Sequence, residues 1–196
     1  MPHMQLVFAT NNRNKIEEVQ HLLKGRVQLL SLQDIKCKEE LAETGTTLEA
    51  NARQKAKYIH EKFNLNCFAD DTGLEVEALG GKPGVLSARY SGEEKSADKN
   101  IQRVLVEMRE FQNRSAYFKT IIILIINNLE YLFEGKIHGN ISTDLKGNKG
   151  FGYDPIFVPY GLDKTFAEMT IEEKNKISHR AIAVKKLADF LNSLKN

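Results

Sequence analysis

Two adjacent carboxylates, those of Asp70 and Asp71, stand in the stretch CFADDTGL, where they directly follow a short apolar run. Asp and Gly are frequent turn residues, so the stretch is typical of a polar turn between two strands. A metal site is the second interpretation, because a divalent cation offsets the repulsion between neighbouring carboxylates. These residues alone leave both interpretations open and favour the turn.

The polar segment Thr10–Lys15 joins an apolar run at 5–9 to a helical pattern. Backbone N–H groups at a helix N-terminus attract anions, and Lys15 adds a positive charge that can reach a phosphate. The segment lacks the Walker P-loop pattern. Its structural alternative is that Asn11 or Asn12 only caps the helix.

Glu49 is a further acidic candidate. Thr46 and Glu49 have the spacing of a capping box, and closing that box is the simplest role for the glutamate. If Glu49 lies near Asp70 and Asp71, the three carboxylates form an acidic pocket suited to Mg²⁺, which binds a few carboxylates together with substrate phosphates and water. The helix that carries Glu49 is predicted from an apolar stripe of Leu48, Ala52, Ala56, Ile59 and Phe63.

The segment Gly147–Phe157, GNKGFGYDPIF, combines aromatic rings with glycines, which allow unusual backbone angles or the close approach of a ligand. Phe151 and Tyr153 offer flat faces on which a nucleobase can stack, and this favours a binding role for the segment. Asp154 precedes a proline and has a simple turn as its alternative.

Basic residues mark the start of the last helix, where His179 and Arg180 follow Ser178, a natural N-cap. A basic pair at a helix N-terminus opposes the helix dipole, and such local conflicts often mark functional sites. With Lys174, these groups are suited to phosphates or to the carbonyl oxygens of a base. The alternative for His179 is a satisfied core histidine. Together, a phosphate-binding loop, an acidic metal site, an aromatic platform for a base and these basic residues indicate a nucleotide enzyme.

The composition of the 196 residues, 41% hydrophobic and 28% charged, is typical of a globular protein, and the length suits a single domain over 1–196. A net charge of +2 gives little support to nucleic-acid or membrane binding. The strongest apolar run, 121–126, is far shorter than the ~20 residues of a membrane helix. Two cysteines without metal or disulfide spacing indicate a cytoplasmic protein. Residues 1–3 precede a second methionine and are interpreted as a cloning remnant or an alternative start.

Helical and strand-like patterns alternate along the chain, which predicts an α/β fold with a mixed sheet. Strands are predicted at 5–9, 27–32, 74–78, 116–126 and 130–138, with Asn127-Asn128 as the turn between the last two. Helices are predicted at 16–23, 48–63, 96–110 and 178–194.

The sequence strongly resembles the inosine/xanthosine triphosphate pyrophosphatase family in five long stretches that occur in the same order: FATNNRNK (8–15), ETGTTLEANARQKA (43–56), ADDTGLEVEALGGKPGVLSARYSG (69–92), GFGYDPIF (150–157) and TFAEMTIEEKNKISHR (165–180). The resemblance implies an elongated mixed β-sheet flanked by helices, with two lobes around a central cleft, and a homodimer. It also implies Mg²⁺-dependent hydrolysis of ITP, dITP and XTP to the monophosphate and pyrophosphate.

The same resemblance assigns roles to individual residues. It makes Asp71 the catalytic proton acceptor and an Mg²⁺ ligand, and Asp70 and Glu49 help to hold the metal. Phe151 would stack on the purine, and Thr72 stands where the family usually has Ser and keeps the hydroxyl. The implied substrate contacts come from Thr10, Asn11, Asn12, Arg13, Asn14, Lys15, Lys55, Thr72, Arg89, Phe151, Gly152, Tyr153, Asp154, Lys174, His179 and Arg180.

The chain departs from the family pattern at two places. Asp144-Leu145-Lys146 replaces a Pro-Arg or similar pair and is interpreted as loop variation, and Lys119 replaces a small residue and is interpreted as a surface or interface change. Two other functions are the alternatives: a pyrophosphatase of modified pyrimidine nucleotides, and a nucleotide-binding sensor without catalysis. A substrate panel separates them, since the sensor would bind tightly without turnover.

Overall fold

The structure is a computed structural model that describes residues 4–194. Residues 1–3, interpreted above as a remnant or an alternative start, lie outside the described residues. The strands are β1 (Gln5–Phe8), β2 (Gln28–Leu30), β3 (Cys67–Val76), β4 (Ser115–Ile126), β5 (Leu129–Ile141) and β6 (Phe157–Pro159). The helices are α1 (Arg13–Leu23), α2 (Leu48–Phe63), α3 (Ala97–Glu107), α4 (Ile171–Ile177) and α5 (His179–Ser193).

The six strands form one sheet in the order β2-β1-β3-β4-β5-β6. β1 is parallel to β2 and to β3, whereas β5 and β6 are antiparallel. The predicted α/β class with a mixed sheet is therefore confirmed. Asn127 and Asn128 both have positive φ angles, 52° and 63°, which Asn tolerates better than most residues. The predicted turn between β4 and β5 is confirmed as well.

β3 runs without a break through the two aspartates and continues to Val76. The interpretation of CFADDTGL as a turn between strands is wrong, and the separate strand predicted at 74–78 is the second half of β3. Asp70 and Asp71 are both buried in this strand. A central strand can carry them because polar partners satisfy their carboxylates, as described below.

The described residues divide into two compact units: unit 1 comprises 4–71, 120–135 and 180–194, and unit 2 comprises 72–119 and 136–179. The assignment of 1–196 as a single domain stays a prediction. In unit 1 the rings of Phe8 and Phe68 stack 4.6 Å apart, and the core also contains Val19, Ile122, Leu124, Val184 and Leu187. In unit 2, Phe118 packs against Phe157 in a core that also contains Leu74, Ile101, Val104, Ile156 and Phe166.

Two local predictions are wrong at helix ends. The N-cap of α2 is Thr47, whose hydroxyl accepts a hydrogen bond from the amide of Ala50 at 3.1 Å, so Thr46 and Glu49 do not form the predicted capping box. The helix starts one residue later than that pairing requires. Leu194, predicted in the apolar face of the last helix, lies beyond the end of α5 and is 47% exposed.

Within residues 4–194, no helix has the length and apolar character needed to cross a membrane.

Candidate active site

The carboxylate of Asp70 lies between two cationic side chains in unit 1. Lys15 Nζ is 2.9 Å from Oδ1, and Arg180 Nε is 3.3 Å from Oδ2. Asp70 and Arg180 are each only 1% exposed. Burial opposes the charge on Asp70, but the two cations outweigh burial and lower the pKa of this carboxyl below its usual value. Asp70 is therefore an anion at neutral pH.

Helix α1 places two charged groups in this cluster. Asn12 Oδ1 accepts a hydrogen bond from the amide of Lys15 at 3.2 Å, so Asn12 caps α1, while its contact with a ligand stays a prediction. Lys15 and Glu18 are one turn apart and so share a helix face. Glu18 pairs with Arg180, which gives a chain of alternating charges from Glu18 through Arg180 and Asp70 to Lys15.

Asp71 has a different environment although it is the next residue on the strand. It is 8% exposed, Asn51 Nδ2 donates to its Oδ2 at 3.0 Å, and Lys55 Nζ is 4.0 Å from its Oδ1. Burial raises the pKa of Asp71 above its usual value, and the opposing effect of Lys55 is smaller. A carboxylate whose pKa is raised is suited to accept a proton from water.

Lys55 and Glu43 complete this part of unit 1. Lys55 Nζ donates to Glu43 Oε1 at 2.6 Å and to the carbonyl oxygen of Asp70 at 2.7 Å. Burial lowers the pKa of Lys55, but Asp71 and Glu43 outweigh burial, so the pKa lies above its usual value. Glu43 is near enough to raise the pKa of Asp71. The sequence prediction missed Glu43, although it opens the stretch ETGTTLEANARQKA.

Glu49, which the sequence analysis predicts as a metal ligand, has an ion-pair partner on its own helix, and its role toward a metal stays a prediction. Its side chain is 46% exposed and pairs with Arg53 at 2.7 Å, one turn further along α2. Among residues 4–194, no group of three or more His, Cys, Asp or Glu side chains is arranged to hold a metal ion. The carboxylates of Asp71 and Glu43, which share Lys55 as a neighbour, are chemically suited to Mg²⁺, because this ion uses one or two carboxylates together with substrate phosphates and water.

Unit 2 holds a second cluster, built around Asp154. Its Oδ2 accepts hydrogen bonds from the amide of Phe151 at 2.8 Å and from Lys174 Nζ at 2.5 Å. Lys174 Nζ also lies 4.9 Å from the centre of the Phe151 ring. Gly150 has φ +70°, and a Cβ at this position would lie 2.1 Å from Asp154 Oδ2. The close approach of the loop to the carboxylate therefore requires glycine there.

Two further predicted contacts in unit 2 are packed into its core. Tyr153 is buried, and its hydroxyl donates to the carbonyl oxygen of Ser87 at 2.8 Å. Burial raises the pKa of Tyr153. His179 is buried as well, with its ring stacked on Phe118 at 4.5 Å. The side chain of Tyr153 thus packs into the core, and Phe151 is the more exposed of the two predicted aromatic platforms.

The other predicted site residues lie near the start of α1, on β3, in a 3₁₀ segment and in the loop beside Phe151. In unit 1, buried Thr10 lies near the start of α1, while Asn11, Asn12, Arg13 and Asn14 are exposed. In unit 2, Thr72 is half-buried on β3, and half-buried Arg89 ends the short 3₁₀ segment Gly84–Arg89. Gly152 has φ +60° in the loop beside Phe151. The roles of all these residues toward a ligand stay predictions.

Comparisons with known proteins show which family the chain belongs to. Residues 6–190 match the sequence profile of the Ham1 family. The chain is 52% identical over 190 residues to the dITP/XTP pyrophosphatase of Flavobacterium psychrophilum, which covers 97% of this chain and 100% of that protein. It is 44% identical over 193 residues to the protein of the same name from Bacillus subtilis, with 96% and 98% of the two chains covered.

A solved structure shares the fold. The Ham1 protein of Staphylococcus aureus aligns with a TM-score of 0.88 and 37% identity, over 96% of this chain and 98% of that one. The profile match extends over nearly the whole length, and the relatives are far more than 30% identical. The chain therefore belongs to the Ham1 family.

Proposed function

We propose that this protein hydrolyses the non-standard purine nucleoside triphosphates ITP, dITP and XTP to the monophosphate and pyrophosphate. The relatives at 52% and 44% identity carry the name dITP/XTP pyrophosphatase. The observation that carries the proposal is the pair of unlike aspartates: Asp70 fixed as an anion between Lys15 and Arg180, and Asp71 with a raised pKa beside Lys55. By removing these nucleotides the enzyme cleanses the nucleotide pool.

The chemical step is proton acceptance by Asp71. Its carboxylate takes a proton from water while the water oxygen bonds to the α-phosphorus, and the bond from that phosphorus to the α–β bridging oxygen breaks. Pyrophosphate leaves with the bridging oxygen. Lys15 and Lys55 are the nearby cations that stabilise negative charge on the leaving group and on the phosphate, together with the amides at the start of α1.

Mg²⁺ is the proposed cofactor, and Asp71 and Glu43 would hold it. Glu43 is preferred to the predicted Glu49 because Glu43 pairs with Lys55, which is also a neighbour of Asp71. Glu49 instead pairs with Arg53 near solvent. Both oxygens of Asp70 face cations, so this residue supports the site as a fixed anion and not as a direct ligand. When bound, Mg²⁺ neutralises phosphate charge and lowers the pKa of a water ligand.

Recognition of the base is proposed for Phe151, Lys174 and Arg180, as the family resemblance implies. Phe151 stacks on the purine, and Lys174 and Arg180 are hydrogen-bond donors only. Hypoxanthine and xanthine carry an acceptor oxygen at C6, whereas adenine carries an amino group there, so donors select against adenine. In this structure Arg180 is occupied by Glu18 and Asp70. We assign rejection of guanine to its 2-amino group.

A homodimer in the cytoplasm is the proposed state of the protein, as the family resemblance implies. Lys119, one of the two departures from the family pattern, is partly exposed and pairs with Glu75 at 3.1 Å. An altered dimer surface at Lys119 remains part of this proposal. Sedimentation of the native chain and of Lys119→Ala tests it, and a native chain that sediments as a monomer would overturn it.

The experiment that tests the activity is pyrophosphate release from ITP, XTP, GTP and ATP with Mg²⁺, for the native chain and for Asp71→Asn. Fast release from ITP and XTP, slow release from GTP and ATP, and an inactive variant support the proposal. Modified pyrimidine triphosphates belong in the same panel. Preferential turnover of those, or tight binding with no turnover of any nucleotide, would replace it with one of the two alternatives.

A further inference from the structure

Helix α2 contacts two other segments of unit 1 through side chains one turn apart. Asn51 and Lys55 share a helix face, as residues i and i+4 do. Lys55 contacts Glu43 and the carbonyl oxygen of Asp70, while Asn51 contacts the next residue on β3. The helix thus holds both the segment 43–45 and the strand at the two aspartates.

The Asn51 amide is used at both of its ends. Oδ1 accepts a hydrogen bond from the backbone amide of Gly45 at 2.8 Å, and Nδ2 donates to Oδ2 of Asp71 at 3.0 Å. The side chain is almost completely buried. Only this orientation of the amide satisfies both partners, because one is an N–H donor and the other is a carboxylate acceptor. Asn51 therefore links the two segments with a defined geometry.

Gly45 permits this link. A Cβ on Gly45 would lie 2.7 Å from the Cβ of Ala50 and 2.9 Å from Asn51 Oδ1, closer than real contacts of this kind. The chain at 43–45 can therefore approach the first turn of α2 only with glycine there. A second tether lies one turn away, where Thr44 and Gln54 exchange hydrogen bonds of 3.1 Å. The hydrogen bonds described for Gln54 all go to Thr44 and none goes to Asp71.

We propose that Asn51 is a positioning residue for the hydrolysis: its amide fixes the carboxylate of Asp71 and, through Gly45, the segment that carries Glu43. This inference rests on the proposed function. The amide holds Oδ2 of Asp71 and so sets the direction of Oδ1, the oxygen on the side of Lys55. A proton acceptor works well only when its orientation is set before the reaction.

The test compares Asn51→Ala and Asn51→Asp with the matched control Gln54→Ala. We expect both Asn51 variants to lower kcat for ITP by about 10- to 100-fold, the usual cost of losing a group that orients a reactive ligand, with KM changed less than about threefold. Asn51→Asp keeps the shape and the acceptor but loses the donor and sets a carboxylate against Asp71, so it gives no rescue. Gln54→Ala, which loosens the same segment, is expected to keep kcat within about threefold.

A second measurement follows the link itself. Hydrogen exchange at the Gly45 amide is expected to be faster in Asn51→Ala and unchanged in Gln54→Ala. Native kcat in Asn51→Asp, or equal losses of kcat in the Asn51 and Gln54 variants that parallel their melting temperatures, would overturn the positioning role. A native chain that hydrolyses none of the triphosphates would instead overturn the proposed function, and the exchange rate at Gly45 would still report whether Asn51 holds the segment.

Discussion

Asp70 and Asp71 are adjacent on β3, yet neighbouring cations lower the pKa of the first, whereas burial raises the pKa of the second. Successive side chains of a strand point to opposite faces, so two neighbouring acids can serve different purposes. Asp70 contacts Lys15 and Arg180, and Asp71 contacts Asn51. We therefore expect substitution of the first to affect stability and substitution of the second to affect catalysis.

Asp70→Asn is expected to destabilise the fold strongly. It leaves Lys15 and Arg180 close together without the anion between them, and removing one partner of a buried ion pair costs about 3–5 kcal/mol of unfolding free energy. Urea denaturation of the metal-free protein measures this loss. Asp71→Asn is the matched control and should change the unfolding free energy by much less. Equal destabilisation by both variants would contradict the distinction between the two acids.

The stability that Asp70 contributes is expected to depend on pH. Its pKa in the folded state is below the ordinary value of 3.8, so its contribution is present above pH 3.8 and is lost as the pH falls below it. The gap in unfolding free energy between the native chain and Asp70→Asn should therefore narrow between about pH 5 and pH 2. Denaturation at a series of pH values measures the gap. A gap that widens on acidification would mean that the cations do not govern the ionisation of Asp70.

Glu43 and Glu49 offer a direct comparison for the metal. Glu43→Gln is expected to raise the Mg²⁺ concentration needed for half-maximal pyrophosphate release by at least about tenfold, because it removes one of two proposed carboxylate ligands. Calorimetry of Mg²⁺ binding to the protein gives a readout that does not depend on turnover. Glu49→Gln should behave like the native chain in both measurements. If Glu49→Gln weakened Mg²⁺ binding more than Glu43→Gln, the metal role would be assigned to Glu49.

Substitutions of Phe151 and Tyr153 are expected to affect different properties, substrate binding for the first and stability for the second. Phe151→Ala is expected to weaken binding of ITP by about 1–3 kcal/mol, the range for loss of base stacking, which appears as a KM raised by roughly 5- to 150-fold. Tyr153→Phe removes the hydrogen bond to Ser87 and should cost about 1 kcal/mol of stability with little change in KM. Steady-state kinetics and thermal unfolding measure the two effects. A larger KM change for Tyr153→Phe would show that the tyrosine contacts the base.

The local part of the fold was predictable from sequence. The cap of α1, the apolar face of α2 and the turn at Asn127-Asn128 all depend on residues within a few positions of each other. The prediction for 67–74 failed because a turn was inferred from local preferences, whereas the position of β3 between β1 and β4 decides its conformation.

The other features that the sequence analysis missed depend on contacts between residues that are far apart in the chain. Glu43 meets Lys55 across a distance of 12 residues, and Glu18 meets Arg180 across 162. No helical or strand periodicity connects such pairs. The family resemblance predicted site roles for Asp71 and Lys55 from their motifs, but the partners that set their pKa values are visible only in the fold.

Asp70 and Asp71 also disfavour incorrect pairing of β3 in the sheet. β3 meets β1 with Phe68 beside Phe8, and this alignment brings Asp70 to Lys15. A slip of β3 by one residue would exchange its two faces, so that Asp70 would leave its cations and Ala69 or Asp71 would stand in its place. Such a misaligned strand would bury an unmatched charge, and the resulting penalty selects the native pairing while the chain is still assembling.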